Sequence, residues 1–289
     1  GCTFSDAGTF SPGFGLSGNT IRILEKSALQ VKDMRLHQWG NSGTKMEVAS
    51  GGRVSATGAI TLETNATAGD YGGHWMDIRD AGSLVESSGN LKLATAVTDN
   101  GVRVRDGAQL KVGGTTEITT SKNWIEVLNG ATATVANVNF LGADGRVTVS
   151  NATMTANKFS PAGTGGNRIE VLDGATMIAK EMICSSGGNT VLVRDSVYTG
   201  ETNVQLGYTE AQKGNLFTVT GPKAVFNWAK NVFGSGCANV FELVDRATWN
   251  VGGTNLTLMN NASNNVLRVT GGAVLSNLAT PAGDNNFYI

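Results

Sequence analysis

Apolar and polar residues alternate in short runs along this chain, and one run returns about a dozen times. Its clearest copy is Asn167-Arg168-Ile169-Glu170-Val171-Leu172-Asp173-Gly174-Ala175-Thr176-Met177. With Ile169 as anchor, the matching positions are Ile21, Met46, Met76, Val102, Ile125, Val147, Val191, Phe217, Phe241, Leu267 and Phe287. Two residues after each anchor stands another aliphatic residue, as in Ile23, Val48, Val104, Val171 and Val269. A period of two rich in β-branched residues predicts a strand with one buried face. Two residues before most anchors stands an Asn, including Asn19, Asn100, Asn123, Asn167, Asn189, Asn215, Asn239 and Asn265. Asn tolerates a left-handed turn and can pair its amide with copies above and below.

Each first strand closes on Asp-Gly, Asn-Gly or a relative, as at Asp106-Gly107, Asn129-Gly130 and Asp173-Gly174. A second strand follows, with predicted inward residues Leu29, Val54, Leu84, Leu110, Met154, Met177, Phe226, Trp249 and Leu275. A third, less regular strand runs through pairs such as Ile60 and Leu62, Leu91 and Leu93, and Met182 and Cys184. A unit of about 24 residues is too short for a propeller blade of roughly 40, and its return segment is strand rather than helix. The expected fold class is therefore all-β: a single right-handed parallel β-helix, or solenoid, of about eleven to twelve rungs with three short strands per rung. At about 4.8 Å per rung, that is a rod of about 55 Å. The expected organisation is a cap or docking segment over residues 1–17 and a β-helix over 18–289 whose last rung is incomplete, stopping in a first strand at Phe287.

Composition agrees with a turn-dense solenoid, with 39 Gly, 4 Pro and 16% charged residues. A net charge of −1 gives no electrostatic reason to expect nucleic acid as a partner. No apolar run reaches the roughly 20 residues of a membrane-spanning helix. With no initiator Met or signal peptide, the chain reads as a mature product or an excised piece. The three cysteines match no zinc spacing, and Cys184 falls on an inward position, equivalent to Leu206 one rung on.

The anchor triplet, the Asp-Gly-Ala turn and the Asn at the preceding corner resemble the bacterial pectin-lyase-like β-helices. They are most similar to passenger regions of autotransporter-type surface proteins. That resemblance implies secretion and a surface role more than any activity. The family's C-terminal membrane barrel has no counterpart in this sequence.

Candidate chemistry is sparse. The outward position between the paired aliphatic residues reads Arg22, Glu47, Asp77, Arg103, Glu126, Thr148, Glu170, Leu192, Thr218, Glu242, Arg268 and Tyr288. Opposite charges fall together at Arg22 with Glu47, Asp77 with Arg103, Arg103 with Glu126 and Glu242 with Arg268, the pattern of a balanced, exposed strand ladder. Glu126 and Glu170 would stand about 9 to 10 Å apart, at the upper edge of the spacing for an inverting glycosidase. Thr148 between them offers nothing catalytic. The recurrent turn residues Asp80, Asp106, Asp173, Asp195 and Asp245 lack the spacing of calcium-binding solenoids and read as turn formers.

No catalytic residue, cofactor or metal site is expected. The candidate ligand-binding residues are Asp70, Tyr71, His74 and Trp75 in the longest unit, joined by His37 and Trp39 from the unit before. The leading expectation is a non-enzymatic, secreted structural protein at a bacterial cell surface, forming a rigid rod or fibre that self-associates end to end. The alternatives are an adhesin passenger that binds a glycan or receptor, and a polysaccharide lyase or glycoside hydrolase.

Overall fold

The computed structural model describes residues 1–12, 18–38, 43–64, 73–93, 99–207, 209–228, 231–234, 236–252, 255–257, 264–277 and 286–288. Every regular element among them is a strand, and the chain is a parallel β-solenoid of about ten turns. It divides into two compact units, Gly1–Thr148 with Ala152–Met154 and Val149–Asn151 with Thr155–Ile289.

In the first unit the first strands Thr20–Ile23, Lys45–Val48, Trp75–Arg79, Gly101–Arg105 and Trp124–Leu128 pair in parallel without a register slip. The anchors therefore stack as Ile21, Met46, Met76, Val102 and Ile125, and from Met46 onward they are fully buried. Side chains two apart point the same way along a strand, so a one-residue slip would turn this whole apolar set outward. Full burial stabilises each side chain by about 1.5–3 kcal/mol. In the second unit Arg168–Leu172, Thr190–Arg194, Leu216–Thr220, Val240–Val244 and Val266–Val269 repeat the arrangement. There the anchor column turns aromatic at Phe217 and Phe241. These rings pack with Phe226 and Trp249 from the second strands, with centroids 4.7 to 6.5 Å apart.

The turn after the first strand is built as its residues predict. Asp106 and Gly107 lie at φ 57° and 80°, and Asp173 and Gly174 at 57° and 83°. The second and third strands are often one continuous, bulged strand, as in Gln109–Ile118, whose register slips between Val112 and Thr115. Gly113 and Gly114 make that corner. A Cβ at Gly114 would lie 2.4 Å from the Asn90 amide oxygen.

Two expectations need correction, at Leu84 and at Phe287. The inward residue of the third second-strand is Val85, not Leu84, since Val85 registers with Val54 and Leu110 and is fully buried. Ala133 and Tyr198 fill the same column in rungs where no inward residue stood out. Phe287 is not a first-strand anchor: Asn286–Tyr288 pairs with Asn255–Thr257, aligning Phe287 with Leu256 of a third strand. The N-terminal segment contributes a strand, Thr3–Phe10, parallel to Ala28–Gln38 and in the register of a rung.

Candidate functional site

The column two residues before the anchors is a buried amide ladder. Asn167, Asn189, Asn215 and Asn239 each donate their backbone N–H to the next Asn Oδ1, at 2.8 to 3.2 Å. The side-chain Nδ2 groups of Asn167, Asn189 and Asn215 donate to the same oxygens at 2.9 to 3.0 Å. In the first unit the ladder runs from His74 through Asn100 to Asn123, with backbone N–H to Oδ1 distances of 3.0 and 2.8 Å.

This places His74, which the sequence suggested as a ligand-binding loop residue. It is 2% exposed, and its Nδ1 accepts the Thr44 backbone N–H at 3.0 Å. Nδ1 of His and Oδ1 of Asn are both attached to Cγ, so the imidazole fills the Asn slot. His74 is thus a buried member of the ladder rather than an exposed loop residue. Asp70, Tyr71, Trp39 and the side chain of His37 lie outside the described residues; the His37 backbone registers with Glu63.

Trp75 does stand on the surface, on the outward row formed by the residue just before each anchor. In register this row reads Thr20, Lys45, Trp75, Gly101 and Trp124. The Lys45 ammonium sits 4.4 Å from the Trp75 ring centroid, and the Arg103 guanidinium lies 5.9 Å from Trp75 and 5.4 Å from Trp124. Gly101 separates the indoles and is buried beneath one of them. A Cβ on Gly101 would fall 2.1 to 2.4 Å from Cε2, Cδ2 and Cζ2 of Trp124. Three ring atoms at nearly equal distance mean that the face of the indole, not its edge, lies on the glycine.

The outward charges beside this row form a tighter network than a simple ladder. Glu47 holds Arg22 at 3.0 Å and also pairs with Arg79. Glu126 holds Arg103 and Arg146, each at 2.7 Å. Asp77 does not pair with its register neighbour Arg103; Arg105, two residues further on, reaches back to it through Nε at 2.9 Å and NH2 at 3.0 Å. That fork leaves Arg103 for Glu126 and the indoles. Because the arginines fold back over them, Glu47 and Asp77 are buried rather than exposed, at 7% and 3%.

For Glu47, burial is the largest single influence and pushes the carboxyl up. The Arg22 hydrogen bond and the charges of Arg79 and Lys45 together outweigh it and hold the carboxyl below its usual range. The hydrogen bond to Asp77 likewise raises the Arg105 guanidinium.

No protein-family model, characterised protein or solved structure matches the chain.

The corresponding face of the second unit differs in kind. Its first-strand outward positions include Leu192, Leu216, Val240 and Val244, and it has the ion pairs Arg194 with Asp173 at 3.1 Å and Arg268 with Glu242. Glu170 registers with Leu192 there. Inside this unit Tyr198 donates to Met182 Sδ at 3.6 Å, and Cys184 is fully buried, its thiol pushed up to about 12 by desolvation. Such a thiol is a packing group rather than a nucleophile. Sequence reasoning found Trp75 but missed Lys45, Gly101, Trp124 and Arg146. The signal that would have found them is register: all stand one residue before an anchor.

Proposed function

We propose that the chain is a non-catalytic structural protein: a stiff parallel β-solenoid displayed at a bacterial cell surface, presenting its outward side chains to a partner. The observation that carries this reading is the buried amide ladder. Its polar side chains hydrogen-bond rung to rung, so each rung fixes the position of the next, which suits a scaffold. The outward carboxylates support the same reading. Glu47, Asp77, Glu126 and Glu242 are each held by arginine, the arrangement of a static network rather than of an acid and base ready to exchange protons. The resemblance of the repeat to passenger regions supports the location, and association through outermost strands is the version of this reading that yields fibres.

The test is electron microscopy of the native protein on its producing cells and after purification, paired with incubation on acidic polysaccharides. Surface-attached protein and unchanged polysaccharide are expected. Protein confined to the cell interior, or release of unsaturated or reducing ends, overturns the proposal.

A further inference from the structure

The outward face of the first unit carries a more specific arrangement than a scaffold needs. The Trp124 indole lies flat on Gly101, the residue is only partly buried, and the Arg103 guanidinium stands over the ring. A partly exposed indole fixed flat on a backbone, with a cation beside it, suits the apolar C–H face of a pyranose that also carries anionic groups. Beside it stands Arg103 at 5.4 Å from the Trp124 centroid, with Arg146 joined to Arg103 through the shared carboxylate of Glu126; further along the same row Lys45 stands over Trp75. Arg103 and Arg146 outnumber the carboxylate they share, so this cluster keeps an excess positive charge beside the platform.

The second unit sharpens the contrast. The same row in the second unit reads Arg168, Thr190, Leu216, Val240 and Val266, with no ring and no glycine.

We infer that this face binds a linear sulfated glycan, one sugar ring stacked on Trp124 and its sulfates met by Arg103, Arg146 and Lys45. Guanidinium matches the planar spread of sulfate oxygens with paired N–H donors. Arginines already engaged by carboxylates favour an anion that sheds water easily, and a sulfate monoester does so more readily than a carboxylate. The inference stands apart from the scaffold proposal: a scaffold with a bare face would still be a scaffold.

The experiment titrates the full chain with sulfated glycosaminoglycan oligosaccharides, using calorimetry and tryptophan fluorescence. Uronate oligomers of matched charge, neutral glucan oligomers and single-stranded DNA serve as comparison probes. Sulfated oligosaccharides are expected to bind with a change in tryptophan emission and an affinity that falls with salt. Trp124→Ala should weaken binding by about tenfold or more, while Trp124→Phe stays within a few-fold.

Gly101→Ala keeps every charge and both rings but lifts the indole off the backbone, and should also weaken binding. Arg194→Gln, on the second unit, should change nothing. Circular dichroism confirms that each variant is folded. The inference is overturned if sulfated oligosaccharides do not bind, if Trp124→Ala binds as well as the parent, or if uronate oligomers or DNA bind as tightly as the sulfated probe.

Discussion

The Oδ1 of Asn239 accepts two hydrogen bonds from Asn215, one from its backbone N–H and one from its Nδ2, both at 3.0 Å. Asn239 in turn donates its backbone N–H to Asn265 at 2.8 Å and its Nδ2 to the Leu206 carbonyl at 3.1 Å. The buried side chain therefore ties its turn to the preceding rung, and the backbone N–H of the same residue ties it to the next. Asn239→Leu fills the same space but leaves both Asn215 donors and the Leu206 carbonyl without that partner. An orphaned buried polar group costs about 1–3 kcal/mol, so a loss of about 2–4 kcal/mol is expected in urea unfolding followed by circular dichroism. A loss under about 1 kcal/mol would show that water replaces the amide and that the ladder is not a principal source of stability.

His74 tests whether the ladder depends on amide chemistry or only on an acceptor at the γ-branch. Its Nδ1 already does for Thr44 what Asn Oδ1 does elsewhere in the column. His74→Asn should leave stability within about 1 kcal/mol of the parent, whereas His74→Leu, which orphans the Thr44 N–H, should cost about 1–3 kcal/mol. Urea midpoints at neutral pH distinguish the two. Equal losses in both variants would mean that the imidazole matters for packing rather than as an acceptor.

The fold was legible because its determinants are local and periodic. A strand buried on one face must alternate, and Ile169 with Val171 or Val102 with Val104 do so rung after rung. The candidate surface was legible only in part, for reasons visible in particular residues. His74 looked like a loop histidine because it follows the glycines at 72 and 73, but its distance from Met76 already placed it in the Asn column. Register puts Asp77 and Arg103 side by side and so predicts a pair between them. A fork from Arg105 wins because its two nitrogens reach both carboxylate oxygens, which strand register alone does not determine. Leu84 displaced Val85 because the turn before it is one residue off the usual length, and spacing alone does not reveal where a turn absorbs the extra residue. Gly101 carried no signal by itself. Its meaning appears only when Trp124, one rung away, is seen lying on it.

Glu47 should contribute an acid-dependent part of stability. Its folded-state carboxyl is held below the usual range, so the stabilisation is fully present above the unfolded-state value of about 4.3. It is lost as pH falls through the lower folded-state value. Glu47→Gln removes the charge that Arg22 and Arg79 share. The variant should be less stable than the parent at pH 7, and the gap should close as pH drops below about 4. Urea titrations of both proteins across that range measure it. A gap independent of pH would assign the effect of Glu47 to packing instead of charge.

Gly200 and Gly101 pose the same steric problem in two surroundings, one beneath a fully buried indole and one beneath a partly exposed one. At Gly200 a Cβ would lie 2.1 to 2.3 Å from the Trp228 ring, and at Gly101 it would lie 2.1 to 2.4 Å from the Trp124 ring. Neither glycine needs a positive φ, so alanine changes only the contact. Trp228 is 1% exposed, has ring centroids of Tyr198 and Phe226 within 5.6 Å, and donates its indole N–H to the Thr202 carbonyl at 3.0 Å. It cannot move without breaking that bond or displacing another ring. Trp124 is only partly buried, with a long arginine side chain as its neighbour, and can swing away. Gly200→Ala should therefore destabilise the protein by about 1–3 kcal/mol through overpacking, while Gly101→Ala should cost under about 1 kcal/mol. Thermal and urea unfolding of the two variants give the comparison directly. If Gly101→Ala proved the more damaging, the Trp124 platform would be a structural clamp, and its role as an open sugar-stacking surface would fall with it.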